Sequence, residues 1–94
     1  MSDGQTLKMA EVLKGEDAEA FANEILQMRS ATLSVDASEV TKIDTPCIEV
    51  LMSAQKLWSD DHCILSYSEM SEAFENAIGS IGIERAQLEA GGSQ

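Results

Sequence analysis

The segment Leu33–Trp58 reads LSVDASEVTKIDTPCIEVLMSAQKLW and decides the fold of this chain. It passes from a β-prone apolar run, through an acidic turn, into a helix that starts at Asp44-Thr45-Pro46. Proline suits the first turn of a helix because its missing N–H would have no partner there, and Asp44 or Thr45 supplies the cap. We therefore expect a strand–turn–helix unit that holds Thr45 and the first free N–H groups at the surface. Such a corner suits recognition or a phosphate, and it lacks the side chains of bond-making chemistry.

Strand and helix patterns alternate along the rest of the chain. The predicted elements are a strand over Leu7–Leu13, a helix from Glu16-Asp17 to Arg29-Ser30, a strand over Ala31–Val35 closed by Asp36-Ala37-Ser38, the helix at Asp44-Thr45, a strand over Cys63–Tyr67, a helix capped by Ser68 or Ser71 and stopped by Gly82, and one more helical turn within Ile83–Ala90. Alternation with such short connections predicts an α/β fold. We expect a mixed, mostly parallel sheet of about four strands, with three to four helices mainly on one face.

The spacing of apolar residues predicts which faces are buried. Phe21, Ile25 and Leu26 recur at helical spacing and are expected on one buried stripe of the first helix. The second helix is apolar round more than half of its circumference and should be the most buried. Trp58, at its end, is expected to cover the core, with an interface anchor as the alternative. Helices on one side of a short sheet leave its other side or an edge strand open, where we expect an apolar patch for a partner.

Composition and charge limit the partners. The 94 residues predict one domain over residues 6–90, with a flexible N-terminus over 1–5 and a loose tail over 91–94. Seventeen acidic residues against six basic ones give a net charge of −11, which disfavours nucleic acid and anionic membrane surfaces and favours a basic protein surface. The alternative is that the acid only confers solubility. No apolar run approaches the roughly 18–20 residues of a membrane span, and nothing marks the chain for export, so we expect a cytoplasmic protein.

The residues that carry chemistry do not form a catalytic or metal-binding pattern. Cys47 and Cys63 fit buried, inert thiols of a reducing compartment, and no Cys-x-x-Cys pair supplies metal ligands. His62 follows an aspartate, but no nucleophile is placed beside it. Asp36 and Asp44 are expected to be solvated aspartates, since no third ligand or phosphate-binding loop accompanies them. We expect no metal, no cofactor and no enzyme activity.

The segments above resemble a STAS domain, the family of bacterial anti-sigma factor antagonists and their relatives. The resemblance spans about residues 5 to 85 and lies in the order of several motifs, which are Val35-Asp36-Ala37-Ser38, Ile43-Asp44-Thr45-Pro46-Cys47, Val50-Leu51-Met52, Cys63–Tyr67, Ser68–Phe74 and Gly82-Ile83. Within that family the chain is similar to the short STAS proteins of alphaproteobacterial chemotaxis operons. The similar residues are Asp36-Ala37-Ser38, Thr45-Pro46-Cys47, Glu49-Val50-Leu51, Trp58 and Ser71-Glu72-Ala73-Phe74.

The resemblance implies a regulatory protein that binds a chemotaxis histidine kinase and modulates phosphotransfer. It implies a partner-binding or phosphoacceptor surface made of Asp36, Ser38, Asp44, Thr45, Pro46 and Glu49. The alternatives are an anti-sigma factor antagonist that acts on an anti-sigma kinase and is switched by phosphate at Thr45, and an accessory subunit of a transport ATPase. A homodimer also stays open.

One position departs from the phosphorylated members of the family. Their accepting hydroxyl lies two residues after the aspartate, where this chain has Pro46, which cannot accept phosphate. Thr45 carries a hydroxyl one position earlier, but Asp44 and Asp36 are expected nearby and would repel added charge. We therefore expect Thr45 to cap the helix or contact a partner rather than to be a phosphorylation switch.

Overall fold

The computed structural model describes residues 4–29 and 31–91 of the chain. Over these residues the elements are β1 (Gln5–Lys8), β2 (Val12–Leu13), α1 (Ala18–Leu26), β3 (Leu33–Ala37), β4 (Lys42–Ile43), α2 (Thr45–Asp60), β5 (Leu65–Met70) and α3 (Glu72–Ser80). Short 3₁₀ turns precede α1 at Gly15–Asp17 and follow α3 at Arg85–Leu88. The predicted fold class, a mostly parallel α/β domain, is confirmed.

The centre of the described structure is a parallel sheet in the strand order β1-β3-β5. Leu7 of β1 is in register with Val35 of β3, which is in register with Tyr67 of β5. All three side chains are buried, whereas Ser34 on the neighbouring position of β3 is partly exposed. Because side chains alternate between the two faces of a strand, the core and the helices lie against one face of this sheet.

The first predicted strand, Leu7–Leu13, is in fact two strands. Beyond β1 the N–H of Met9 still donates to the carbonyl of Asp36 at 2.9 Å. The Glu11 carbonyl then accepts from the N–H of Thr41 at 2.7 Å, so the chain turns away from the main sheet. β2 pairs with β4 instead, and the expected sheet of about four strands is a three-stranded sheet beside a two-stranded one over the described residues.

The other two strands are displaced from their predicted positions. The strand expected at Ala31–Val35 is β3, which continues through Asp36 instead of closing there. The strand expected at Cys63–Tyr67 is β5, which starts later because the N–H of Cys63 still closes the end of α2 on the carbonyl of Trp58 at 2.9 Å. Cys63 is therefore half-buried outside the strand, and its expected place inside the core is wrong.

The first helix is shorter than its apolar pattern suggests. It was expected to end near Arg29-Ser30, yet α1 ends at Leu26. The N–H groups of Met28 and Arg29 donate to carbonyls three residues back, which tightens the chain into a turn. Ser30 lies outside the described residues.

The second helix is the most deeply buried of the described helices, as predicted. Its buried side chains are Cys47, Ile48, Leu51, Ala54 and Trp58. By comparison, α1 buries Phe21 and Ile25, and α3 buries Phe74 and Ile78. Trp58 is fully buried, and its indole N–H donates to the Ala31 carbonyl at 2.8 Å. Trp58 is thus a core residue, and the alternative of an interface anchor is wrong.

The C-terminal part of the domain packs against the edge of β5. Ser71 caps α3, since its hydroxyl oxygen accepts from the N–H of Phe74 at 3.0 Å, and Gly82 ends the helix region with a φ of 81°. After the second 3₁₀ turn, Ala90 forms an antiparallel bridge with Leu65. The sequence leaves open whether this segment docks, and the structure shows that it covers one end of the β5 edge.

The predicted ends of the domain fall largely outside the described residues. Residues 1–3 and 92–94 are not among those described, while Gln5 already begins β1. The flexible N-terminus and the loose tail remain predictions.

Candidate functional site

The start of α2 is fixed to the chain that precedes α1. Asp44 occupies the N-cap position with an extended backbone, one of the two residues predicted for it. Its carboxylate does not cap the helix, however, because Oδ2 accepts from the backbone N–H of Gly15 at 2.9 Å. The N–H of Asp44 donates to the Leu13 carbonyl at 2.8 Å. The expected side-chain cap is therefore wrong, and long-range hydrogen bonds hold this corner in place.

Cys47 adds a further link at the same corner. Its thiol is buried and donates to the Lys14 carbonyl at 3.3 Å. Burial, followed by the charges of Asp17 and Asp44, raises the pKa of the Cys47 thiol. The thiol is a structural group, as the sequence predicts, because a raised pKa leaves little of the reactive thiolate at neutral pH.

Three of the predicted surface residues stand exposed at this corner. Thr45 and Pro46 form the first two positions of α2, and Glu49 follows one turn later. The bonds to Gly15 and Lys14 hold the backbone beneath them, so the exposed side chains are presented on a fixed base. This arrangement can contact another macromolecule without prior ordering of a loop.

The same turn offers little to hold a phosphate. Pro46 has no N–H, and the N–H groups of Cys47 and Ile48 both donate to the Asp44 carbonyl, at 3.0 and 3.3 Å. The N–H of Thr45 is the one in this turn that meets no acceptor among residues 4–29 and 31–91. The expectation of several free N–H groups is wrong, and an anion here would find the helix dipole but a single donor.

The other two predicted residues, Asp36 and Ser38, form a polar group at the end of β3. Asp36 Oδ1 accepts from the backbone N–H of Ser38 at 2.9 Å. Hydrogen bonding from the Ser38 side chain, and then from its N–H, lowers the pKa of Asp36 below its ordinary value. Lys8, in register with Asp36, pairs with Glu39 at 3.0 Å. No hydrogen bond or ion pair of the described residues joins this group directly to Asp44.

The residues considered for catalysis do not assemble. His62 is exposed in the turn after α2, with a φ of 59°. The neighbouring Asp61 carboxylate is engaged by Arg29, whose Nε lies 2.8 Å from Oδ2. No group of three His, Cys, Asp or Glu side chains is placed to hold a metal ion within residues 4–29 and 31–91.

An apolar groove between α1 and α2 was not foreseen. Leu26 was expected on the buried stripe, yet 45% of its surface is exposed. It borders a groove of about 400 Å³ whose other lining residues include Ala22, Val50, Leu57 and the predicted surface residue Pro46. Leu26 follows the buried Ile25 and so lies roughly 100° further round the helix. That offset was the available signal in the sequence.

The open face of the sheet is polar rather than apolar. Thr6 on β1, Ser34 on β3 and Ser66 on β5 occupy the positions between the buried ones, and Thr6 is exposed. The expectation of an apolar patch on this face is therefore wrong, whereas on β2, a strand of the two-stranded sheet, Val12 is 41% exposed. A further exposed apolar surface lies between α1 and α2, next to the start of α2.

Comparison with known protein families gives a match to the model described as "Mlab, STAS domain", over residues 2–89. The chain belongs to the STAS family. The match includes both polar groups described above and the whole of α2, so the resemblance is confirmed at the level of the family. No curated protein and no solved structure shows a significant match to the chain.

Family membership sets the general role. STAS domains are in general non-catalytic regulatory domains that bind protein partners such as kinases, and the membership supports a role like that of the anti-sigma factor antagonists. No helix of the described ranges combines the length and the apolar character needed to cross a bilayer.

Proposed function

We propose that this STAS domain is a non-catalytic binding module that regulates a kinase signalling system by docking the start of α2 on the kinase. The surface consists of Asp44, Thr45, Pro46 and Glu49, with Asp36 and Ser38 as a second contact. The observation that carries the proposal is the fixed corner itself. Its exposed side chains project from a backbone that is held in place by two hydrogen bonds. One joins the Asp44 carboxylate to Gly15, and the other joins the Cys47 thiol to Lys14, both in the segment before α1.

The physical argument rests on preorganisation. Binding by a mobile loop costs conformational entropy for each residue that becomes ordered. At this corner the hydrogen bonds to Gly15 and Lys14 already order the backbone in the free protein. Thr45, Pro46 and Glu49 can therefore contact a partner with little further loss of backbone freedom.

We assign the kinase as a chemotaxis histidine kinase. The support is the resemblance of the Asp36-Ala37-Ser38, Thr45-Pro46-Cys47 and Glu49-Val50-Leu51 motifs to short STAS proteins of chemotaxis operons. Because the chain has a net charge of −11, we expect the partner's docking surface to be basic. An anti-sigma kinase and a transport ATPase subunit are the alternatives, and the identity of the bound partner decides among the three.

Thr45 serves in this proposal as a contact residue rather than as a phosphorylation switch. The turn has a single free donor, and the Asp44 carboxylate lies in the adjacent position. A phosphate on Thr45 would add negative charge beside that carboxylate. Incubation with the captured kinase and ATP, followed by intact-mass measurement, should therefore show no stoichiometric phosphate. A stoichiometric phosphate on Thr45 would favour the anti-sigma antagonist alternative.

Affinity purification from native cell extract tests the proposal. The tagged protein should capture a histidine kinase, and Thr45→Glu should abolish the capture because a longer, charged side chain occupies the contact. Thr6→Glu is the matched control, since Thr6 is also exposed but lies on the open face of the sheet. Equal capture by wild type, Thr45→Ala and Thr45→Glu would contradict the proposal.

A further inference from the structure

The groove between α1 and α2 has the shape of a receptor for another helix. Ala18, Ala22 and Leu26 follow one another at intervals of four residues on α1, and Pro46, Val50 and Leu57 do so at intervals of four and seven on α2. Ala54, four residues after Val50, continues the α2 row, lines the groove and is buried. Ala18, Ala22 and Ala54 present small side chains to the groove, which leaves room between the two helices.

The size of the groove sets the length of its occupant. At 1.5 Å per residue the α1 wall, Ala18 to Leu26, is about 12 Å long, and the α2 wall, Pro46 to Leu57, is about 16 Å long. Two to three turns of helix cover that length. Apolar side chains at positions i, i+4 and i+7 of such a helix would lie along it.

The charge along the groove selects the chemistry of the occupant. Glu49 lines the groove on α2, and the exposed Lys56 and Asp60 lie on the same row of the helix surface. Glu19 is exposed on α1, one turn before the groove residue Ala22. Three of the six basic residues, Lys8, Arg29 and Arg85, are already in ion pairs. Glu19, Glu49 and Asp60 outnumber the one rim cation, Lys56, so the rim carries a net negative charge that complements a cationic partner.

We propose that this groove binds an amphipathic, net basic helix of the protein partner. Its apolar side chains lie against Leu26, Val50 and Leu57, and its lysines or arginines face Glu19 and Glu49. The proposal rests on the function proposed above, because Pro46 and Glu49 belong both to the groove and to the start of α2. A second copy of this chain fits less well, since two facing grooves would bring the Glu49 rims together in a protein of net charge −11.

A designed peptide tests the groove directly. The probe is a helical peptide of roughly 14 residues with leucines at i, i+4 and i+7 and lysines elsewhere on its surface. A peptide of the same composition with scrambled leucine positions is its control. Methyl NMR of the full chain should show the largest shifts at Leu26, Val50 and Leu57 with the first peptide. Equal binding of the scrambled peptide, or shifts centred elsewhere, would overturn the proposal.

A groove-filling variant provides the matched test. Ala22→Leu adds side-chain volume within the groove, and we expect peptide affinity to fall on the order of tenfold or more. Ala20→Leu is the control, because Ala20 is exposed on the far side of α1, in a smaller depression of about 270 Å³ that also contains Lys8 and Asp17. Unchanged affinity of Ala22→Leu, with an unchanged melting temperature, would overturn the proposal.

Charge reversal separates the acidic rim from the overall acidity of the protein. Glu49→Lys should weaken binding of the basic peptide several-fold, and the loss should shrink as salt is raised. Glu24→Lys makes the same change of net charge on the far side of α1 and should have a smaller effect. Equal losses for the two variants would show attraction to net charge alone and would contradict the proposal.

Capture of the native partner distinguishes this proposal from the general one. If Thr45→Glu abolishes capture while Ala22→Leu leaves it intact, the start of α2 binds the partner and the groove does not. If neither variant affects capture, both proposals fail. A concentration-dependent dimer in sedimentation equilibrium that Ala22→Leu dissociates would assign the groove to a second copy and overturn the proposal of a partner helix.

Discussion

The carboxylate of Asp44 accepts a hydrogen bond from the backbone N–H of Gly15 at 2.9 Å, across 29 positions of sequence. Two segments that are distant in sequence therefore meet at the start of α2. Gly15 begins the 3₁₀ turn before α1, and Asp44 is the N-cap residue of α2. The bond makes the position of the exposed Thr45 depend on both helices rather than on a local cap.

Removal of this acceptor should destabilise the domain. Asp44→Ala leaves the partly buried N–H of Gly15 without its partner, and we expect the free energy of unfolding to fall by about 1–2 kcal/mol. Asp44→Asn keeps a carbonyl oxygen at the same place and should lose clearly less. Urea unfolding followed by circular dichroism measures both. Equal losses for the two variants would show that the charge of Asp44, and not the hydrogen bond, is what stabilises the corner.

Asp36 should make the stability depend on pH in the acid range. Its pKa is lowered in the folded protein, chiefly by hydrogen bonding from Ser38, while in the unfolded chain it titrates at about 3.9. The contribution is therefore complete well above that value and is lost as pH falls through the lower, folded pKa. In a carboxyl ¹³C NMR titration, Ser38→Ala should raise the pKa of Asp36 toward its ordinary value. An unchanged Asp36 pKa in this variant would argue against a hydrogen bond from the Ser38 hydroxyl to Asp36.

Tyr67 should tolerate loss of its hydroxyl. The phenol oxygen is buried and has no hydrogen-bond partner among the described residues, and burial raises the pKa of Tyr67. Tyr67→Phe removes an unpaired polar group and keeps the ring that stacks on Phe74 at a centroid distance of 6.2 Å. We expect the free energy of unfolding to rise by about 1 kcal/mol. A fall in thermal and urea stability would mean that the hydroxyl has a partner after all.

The two cysteines should differ in reactivity. Cys47 is buried, with its thiol on the Lys14 carbonyl, and its pKa is raised by burial, whereas Cys63 is half-buried in the connection to β5. Alkylation of the native protein with iodoacetamide, followed by peptide mass mapping, should modify Cys63 first. Cys47 should react only at the rate of local opening. Preferential labelling of Cys47 would instead mark it as a reactive thiol of the kind that helix N-termini can produce.

Local chemistry explains what could be predicted from the sequence. Pro46 in the first turn of α2, the capping Ser71 and the left-handed Gly82 each act within a few residues, and each lies where the sequence places it. The alternation of strands and helices predicts the parallel α/β fold for the same reason. The apolar periodicity within one segment is enough to identify that segment as a strand or a helix.

The errors concern relations between distant segments. The carboxylate of Asp44 looked like a cap because its actual partner, Gly15, belongs to another part of the chain. The strand predicted over Leu7–Leu13 is interrupted because the Glu11 carbonyl accepts a hydrogen bond from the N–H of Thr41. The residues around Glu11 carry no sequence pattern that predicts this contact. Leu26 is exposed because α2 approaches α1 from one side and leaves a groove.

A photoreactive side chain at position 45 tests most directly whether the beginning of α2 meets the partner. Thr45 is replaced by a photoreactive phenylalanine analogue, Thr6 is replaced in the same way as a control, and each protein is irradiated in extract of the native cell. We expect a cross-link from position 45 to a kinase and none from position 6. A cross-link from position 6 alone, or equal cross-linking from both positions, would contradict the account.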